Sequence, residues 1–134
     1  MSLTLEQAQQ VITGAQGYAA GIGIRVAVAI VHEGGTLQAL ARMDNAPPLA
    51  SQIAESKAVG AALWHRDGDA LAAVNETRHD FFDAVSRLVR MPMIAGRGSV
   101  LIRRGDAILG AVGVSGGHPD QDKECAEAGL ALLG

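Results

Sequence analysis

The stretch "SVLIRRGDAILGAVGVSGGHPDQD", residues 99–122, decides the fold because it carries two incompatible readings. Two apolar runs, "SVLIRR" (99–104) and "AILGAVGVS" (107–115), flank Gly105-Asp106, a type I′ hairpin signal. The same stretch contains Gly113-Val114-Ser115-Gly116-Gly117, which matches the G-x-S-x-G nucleophile elbow of a parallel-sheet hydrolase. An elbow requires an acid and a base further along the chain. Only one histidine, His118, follows Ser115, and it lies three positions on, in the same turn. The hairpin reading therefore prevails. It predicts two antiparallel strands, a glycine turn, and a last helix opened by Pro119 at its first position and running to Leu133. The letters Arg104-Gly105-Asp106 also spell an adhesion motif, but the hairpin turn accounts for them.

Outward from this hairpin the pattern repeats. Thr4 and Gln7 form a capping-box pair, and the helix they open carries Ala8, Val11, Ile12, Ala15 and Ala19 at helical spacing. "GIG" (21–23) ends it. "RVAVAIVH" (25–32) is a near-continuous apolar run, the mark of a strand covered on both faces. "EGG" (33–35) turns the chain into "TLQALARMD" (36–44), with Leu37, Ala39, Ala41 and Met43 expected on one face. "NAPP" (45–48) breaks that strand, and a helix is expected from Ala50 to about Arg66. Residues 67–89 read as helical, in one piece or two, and 91–98 as a loop or short edge segment. The order α-β-β-α-α-β-β-α implies an antiparallel sheet flanked by helices, an α/β fold of α+β type, in one domain spanning 1–134.

Composition narrows the function classes. Hydrophobic residues make up 49% of the 134, yet aromatics only 3%, so the core is built from Ala, Val, Leu and Ile. Such a shallow core favours oligomerisation. The net charge is −3 and no basic stripe is interleaved with aromatics, which argues against a nucleic-acid partner. The single Cys125 rules out an intramolecular disulfide and suits a reducing compartment. The N-terminus lacks the basic and apolar regions of a signal peptide, and no apolar run reaches the ~20 residues of a membrane helix. A cytoplasmic protein without membrane contact is the expectation.

Three places break local rules. His118 occupies the N-cap of the last helix, where a short oxygen acceptor is preferred, directly after the flexible pair Gly116-Gly117. With Ser115, that turn offers backbone donors to an anion. Lys57 shares an apolar stripe with Ile53, Gly60, Ala61 and Trp64; it must pair with a carboxylate, for which Asp44 is a candidate, or reach a ligand. Arg42 and Asp44 project from one face at the end of the second strand, where Arg42 offers a fork to a ligand carboxylate or makes a surface ion pair. His32, His65 and His79 show no metal-ligand spacing; His32, at a strand end beside a turn, and His79, in an acidic helix, are each an axial ligand or, as the commoner case, an ordinary exposed residue. Cys125 falls on the apolar side of the last helix and reads as core.

These landmarks, "VAVAIVHEGGTLQALARMDNAPP" (26–48), "ESKAVGAAL" (55–63) and "ILGAVGVSGGHPDQDKECAEAGL" (108–130), resemble the GlcG/HbpS-like family, also called the haem-degrading domain family, related to the C-terminal domain of PduO-type cobalamin adenosyltransferases. The resemblance runs nearly end to end. It implies a profilin-like antiparallel sheet flanked by helices, homo-oligomers up to octamers, and haem as a cofactor, with some members linked to haem degradation, redox sensing or small-molecule catabolism. Two departures stand out: His32-Glu33 where the family often has Asp before its Gly-Gly turn, and His118 where it often has Ser or Thr. Three functions follow. The first is an oligomeric domain binding haem or a small carboxylate through Arg42, Asp44, Lys57, Ser115, Gly116 and Gly117. The second is a catabolic enzyme of isomerase, hydratase or lyase type using His118 or His32 as acid/base. The third is a non-catalytic partner subunit.

Overall fold

The structure is a computed structural model that describes residues 2–133; the outermost residues of the 1–134 span, Met1 and Gly134, lie outside it. Helix α1 (Leu5–Gly21) starts where the capping box predicts. Thr4 Oγ1 accepts from Gln7 N at 3.1 Å, and Gln7 Oε1 accepts from Thr4 N at 2.9 Å. Its buried face is the expected set Ala8, Val11, Ile12, Ala15 and Ala19.

Strands β1 (Ala27–His32), β2 (Leu37–Arg42), β3 (Ser99–Arg104) and β4 (Ala107–Ser115) form one antiparallel sheet in the order β2-β1-β4-β3. The two predicted hairpins thus join through β1 and β4. β1 is central, which explains its continuous apolar run: both of its faces are covered. Val26, Val28 and Ile30 face α1 and the last helix, α5 (Pro119–Leu130), together with Val112 and Val114. Ala27, Ala29 and Val31 face helix α2 (Ala50–Trp64) on the other side. Each buried Val or Ile is worth about 1.5–3 kcal/mol.

The α2 face is made of small residues meeting small residues. Ala54, Ala58 and Ala61 of α2 are fully buried. A Cβ added to Gly113 of β4 would lie 2.1 Å from the Ala54 carbonyl oxygen, so only glycine lets the helix approach this closely. A few substituents thus fix the interlayer spacing, because interiors are packed at crystal-like density.

Three local expectations need revision, and one open alternative is resolved. The register of β1 against β2 shifts between Ile30 and Val31, so that Ala39 faces Ile30 but Leu37 faces Val31. This bulge takes Leu37 out of the face shared by Ala39, Ala41 and Met43 and leaves it exposed. α2 ends at Trp64, two residues before Arg66, because His65 adopts the left-handed conformation with φ 53°. The 67–89 segment is two helices, α3 (Gly68–Thr77) and α4 (His79–Ser86), separated at Arg78 (φ −137°, ψ 49°). The last helix stops at Leu130 and a 3₁₀ turn (Ala131–Leu133) follows it.

Candidate functional site

The start of β1 and the ends of β2 and β4 meet at one end of the sheet. Ala27 pairs with both Arg42 and Ser115, so these three form a row across the sheet. Arg42 and Ser115 are therefore two strand spacings apart, about 10 Å. Past Ser115 the chain turns sharply. Gly116 has φ +138°, and a Cβ there would sit 2.3 Å from the Arg25 carbonyl oxygen. The glycine turn thus packs directly on the residues that lead into β1.

Beneath the turn lies a buried charged pair. Lys57 Nζ donates to Asp122 Oδ2 at 3.2 Å and to the Val114 carbonyl at 3.0 Å. The second carboxylate oxygen, Asp122 Oδ1, accepts from Gly117 N at 2.9 Å. Lys57 is 7% exposed and Asp122 2%. Burial pushes the Asp122 carboxyl above the usual carboxylate range, against the opposing pull of the Gly117 N–H and the Lys57 ammonium. Lys57 therefore pairs with Asp122 and not with Asp44. The backbone donor and the ammonium that the sequence offers to a ligand anion are held by the protein's own carboxylate.

A segment from Ile94 to Gly98 covers this pair. Ile94 N donates to Ser56 O at 3.1 Å, and Val114 N donates to Gly98 O at 2.9 Å. Gly98 has φ +116°, and a Cβ there would lie 2.9 Å from Lys57 Nζ. Between these anchors, Arg97 bridges Asp69 of α3 (Nε–Oδ1 3.1 Å) and Asp120 of α5, while Lys123 reaches Asp69 at 2.7 Å. These ion pairs hold the Asp69 carboxyl below its ordinary value.

The open side of this sheet end is a cleft of about 740 Å³. Arg25, Arg42, Asp44, Asn45, Thr13 and Gln16 are among its walls. Arg42 Nη1 donates to the Ala46 carbonyl at 2.5 Å, which holds the guanidinium in place. Met43 also borders the cleft, but its sulfur accepts from Val26 N at 3.4 Å. His118 follows the glycine turn at the same end, exposed, with its backbone N–H bonded to Gln121 Oε1 at 3.0 Å.

His32 lies elsewhere. It pairs with Gly110 at the far end of β1, five residues from Ala27, and so about 16 Å along the strand from the Ser115 row. There it lines a small cleft of about 160 Å³ with Glu33 and Ile108. The two candidate acid/base histidines do not share a pocket. His65 caps α2 in the left-handed conformation, and His79 Nδ1 lies 3.0 Å from Asn75 Oδ1. Cys125 is fully buried, and burial pushes its thiol up to about 11.

Sequence reasoning missed two members of this site. Asp122 repeats with Cys125, Ala126 and Gly129 on the buried side of α5, a spacing that marks it as an inward-facing acid opposite an inward-facing Lys57. Arg25 carries no such signal; it precedes β1, and only the pairing of β1 with its neighbours brings it beside Arg42.

The family model for "Haem degrading protein HbpS-like" matches residues 3–131. The chain belongs to the HbpS-like family. Protein GlcG of Escherichia coli K12 is 35% identical over 115 residues, 84% of this chain and 81% of GlcG. The chain spans only 39% of the corrinoid adenosyltransferase PduO of Citrobacter freundii, at 28% identity. Among solved structures, a double mutant of Streptomyces reticuli HbpS superposes with a TM-score of 0.90 at 28% identity, covering all of this chain and 88% of that one. A PduOC:haem complex superposes with a TM-score of 0.87 at 25% identity, covering 98% and 94%. These likenesses agree with the antiparallel, helix-flanked α+β fold. No helix among the described residues is long and apolar enough to cross a membrane.

Proposed function

We propose that the protein is an oligomeric domain that binds haem or a small carboxylate-bearing molecule at the end of the sheet where Arg25 and Arg42 meet. The observation that carries this reading is the cleft itself. Its volume of about 740 Å³ lies in the range of small-molecule sites, and two guanidinium groups stand in its wall beside amide and hydroxyl donors. Arginine pairs with carboxylates through two parallel hydrogen bonds, and Arg42 is already oriented by Ala46. The PduOC:haem complex and the family description support haem as the ligand.

The residues fit haem in part of its chemistry. Arg25 and Arg42 suit the two propionates; His118, past the glycine turn, stands at this end of the sheet but outside the residues that line the cleft. Met43 packs against the core, and its sulfur accepts a backbone N–H from Val26. A bound haem would supply the redox chemistry of its iron. The chain's own part is to hold carboxylates with Arg25 and Arg42, and to fix the turn through Asp122 and Lys57. Lys57 and Gly117 thereby act as positioning residues behind the cleft, because Asp122 occupies their donors.

Haemin titration followed by the Soret band tests this directly. The expected result is saturable binding by the wild type, weakened at least tenfold in Arg25→Met/Arg42→Met. A spectrum altered in His118→Ala would assign the axial ligand to that histidine. Unsaturable haemin association in the wild type, together with no calorimetric binding of small mono- or dicarboxylates, sinks the proposal. Sedimentation of the same samples reads the oligomeric state.

A further inference from the structure

A second concavity lies on the opposite layer, between the C-terminal end of α2, helix α4 and the segment after it. It is a groove of about 470 Å³ lined by Leu63, Trp64, Phe81, Val85, Val89 and Met93, with no charged side chain in its walls. Its aromatic members are ordered against one another. Trp64 stacks on Phe82 with ring centroids 5.5 Å apart and planes 20° from parallel. Phe81 meets the same indole edge-on, at 6.0 Å and 85°. The protein holds only one tryptophan and two phenylalanines, so nearly all its large aromatic surface is gathered here.

This surface is not consumed by the core. Phe81 is 46% exposed and neighbouring Leu88 82%, which sets them apart from the buried aliphatic layers. α4 packs chiefly on α3 and is not part of the sheet layers. The rim is basic at two points: the Arg78 guanidinium carbon lies 4.2 Å from the Phe81 ring centroid, and that of Arg66 lies 6.0 Å from the Trp64 centroid. Both arginines are exposed and project beside the aromatic pair that lines the groove. Trp64 and Phe81 meet at right angles and form an aromatic corner with guanidinium groups beside it, which suits a flat ring that stacks on one wall, abuts the other and bears an anionic substituent. The ring is desolvated against Trp64 and Phe81 while the anion meets Arg66 or Arg78.

We infer that the groove formed by Leu63, Trp64, Phe81, Val85, Val89 and Met93 is a binding site for a planar aromatic carboxylate, with Arg66 and Arg78 as its anion partners. The site is separate from the Arg25/Arg42 cleft, which lies at the end of the sheet and shares no lining residue with it. It does not depend on the proposed function of that cleft. Neither arginine is committed to the fold's core, so both can be replaced without unpacking a helix.

The probe is 2-naphthoate, titrated by calorimetry into the full chain, with the neutral isostere 2-naphthamide and the non-aromatic cyclohexanecarboxylate beside it. Because Trp64 is the only tryptophan, its indole N–H resonance in a ¹⁵N–¹H spectrum is a single assigned reporter placed in this groove. The expected result is naphthoate binding at least tenfold tighter than either analogue, with a changed Trp64 signal. Read at Trp64, the affinity should fall at least tenfold in Arg66→Met/Arg78→Met and change less than twofold in Arg25→Met/Arg42→Met, whatever carboxylate the other cleft also takes up. Equal affinity for naphthoate and naphthamide, or binding unaffected by loss of Arg66 and Arg78, overturns the inference. So does absence of naphthoate binding; dissociation of an oligomer by Val85→Asp would then show that a second copy of the chain covers the groove. Loss of binding in the Arg25→Met/Arg42→Met variant would instead place naphthoate in the other cleft.

Discussion

Replacing Asp122 by alanine should be among the most damaging single changes in the protein. The substitution strands the Lys57 ammonium, 7% exposed, with only the Val114 carbonyl as partner, and leaves the Gly117 N–H without its acceptor. Breaking a buried ion pair by removing one partner costs about 3–5 kcal/mol. An unsatisfied buried N–H adds about 1–3 kcal/mol. These terms overlap, since water can enter the void and solvate the stranded groups, so a loss of about 4 kcal/mol is expected. At roughly 4 °C per kcal/mol for a domain of this size, the melting temperature should fall by about 15 °C. The assay is chemical denaturation followed by far-ultraviolet circular dichroism, with the double variant Lys57→Met/Asp122→Leu alongside. Removing both charges replaces a desolvated pair with packed apolar groups, which is often neutral or stabilising. The double variant should therefore lie well above Asp122→Ala. Formate or acetate at high concentration should restore part of the lost stability of Asp122→Ala by occupying the vacated carboxylate position, in proportion to its binding. A cost below about 1 kcal/mol for Asp122→Ala would refute the buried pair. So would a double variant no more stable than that single one.

Other outcomes follow from the same geometry. Gly113→Ala should destabilise by several kcal/mol, because its Cβ would overlap the Ala54 carbonyl; Gly21→Ala, with nothing within 4 Å of the added carbon, should be nearly neutral, and paired denaturation curves read both. Asp69, whose folded-state pKa is lowered by Lys123 and Arg97, contributes stability above its unfolded value of about 3.8 that is lost as pH falls through the folded pKa. The stability gap between wild type and Asp69→Asn should thus be present at pH 6 and close in acid. Asp122 has the opposite sign: its raised folded-state pKa means the native state holds more protons, so its contribution falls as pH rises from 3.8 towards the folded value. Cys125, buried and with its thiol pushed up to about 11, should resist alkylation at pH 8 in the native protein and react quickly in denaturant.

The elements were legible where one physical signal dominated. The capping box at Thr4 and Gln7 fixed the start of α1, and Gly105-Asp106 between two apolar runs fixed the β3–β4 hairpin. The unbroken apolar stretch 25–32 marked β1 as central, and β1 is the strand that joins the two hairpins. The bulge opposite Ile30 and Val31 was not legible, because strict alternation gives no sign of an extra residue until the partner strand is known. The partner of Lys57 was hidden for a similar reason. A buried lysine announces that it needs a carboxylate, but its choice among Asp44, Asp120 and Asp122 depends on where α5 docks. Arg25 is the extreme case. Nothing local distinguishes it, and its position beside Arg42 exists only through the pairing of β1 with β2.

That dependence on tertiary placement bears on why the Lys57–Asp122 pair exists. If an apolar pair serves stability as well, the charges must be kept for something other than free energy of folding. Their hydrogen bonds end on Val114 and Gly117, which bracket Ser115 and Gly116 at the cleft end of β4. A carboxylate oxygen aimed at one N–H and an ammonium aimed at one carbonyl impose directions that apolar contacts do not. The pair thus sets the path of the turn, and the turn rests on the Arg25 backbone. Lys57→Met/Asp122→Leu should accordingly fold with a melting temperature near wild type or higher, yet bind haemin or a small carboxylate at least several-fold more weakly. Unchanged affinity in a stable double variant would show that the cleft is positioned by sheet pairing alone. The buried charges would then have no role in ligand binding.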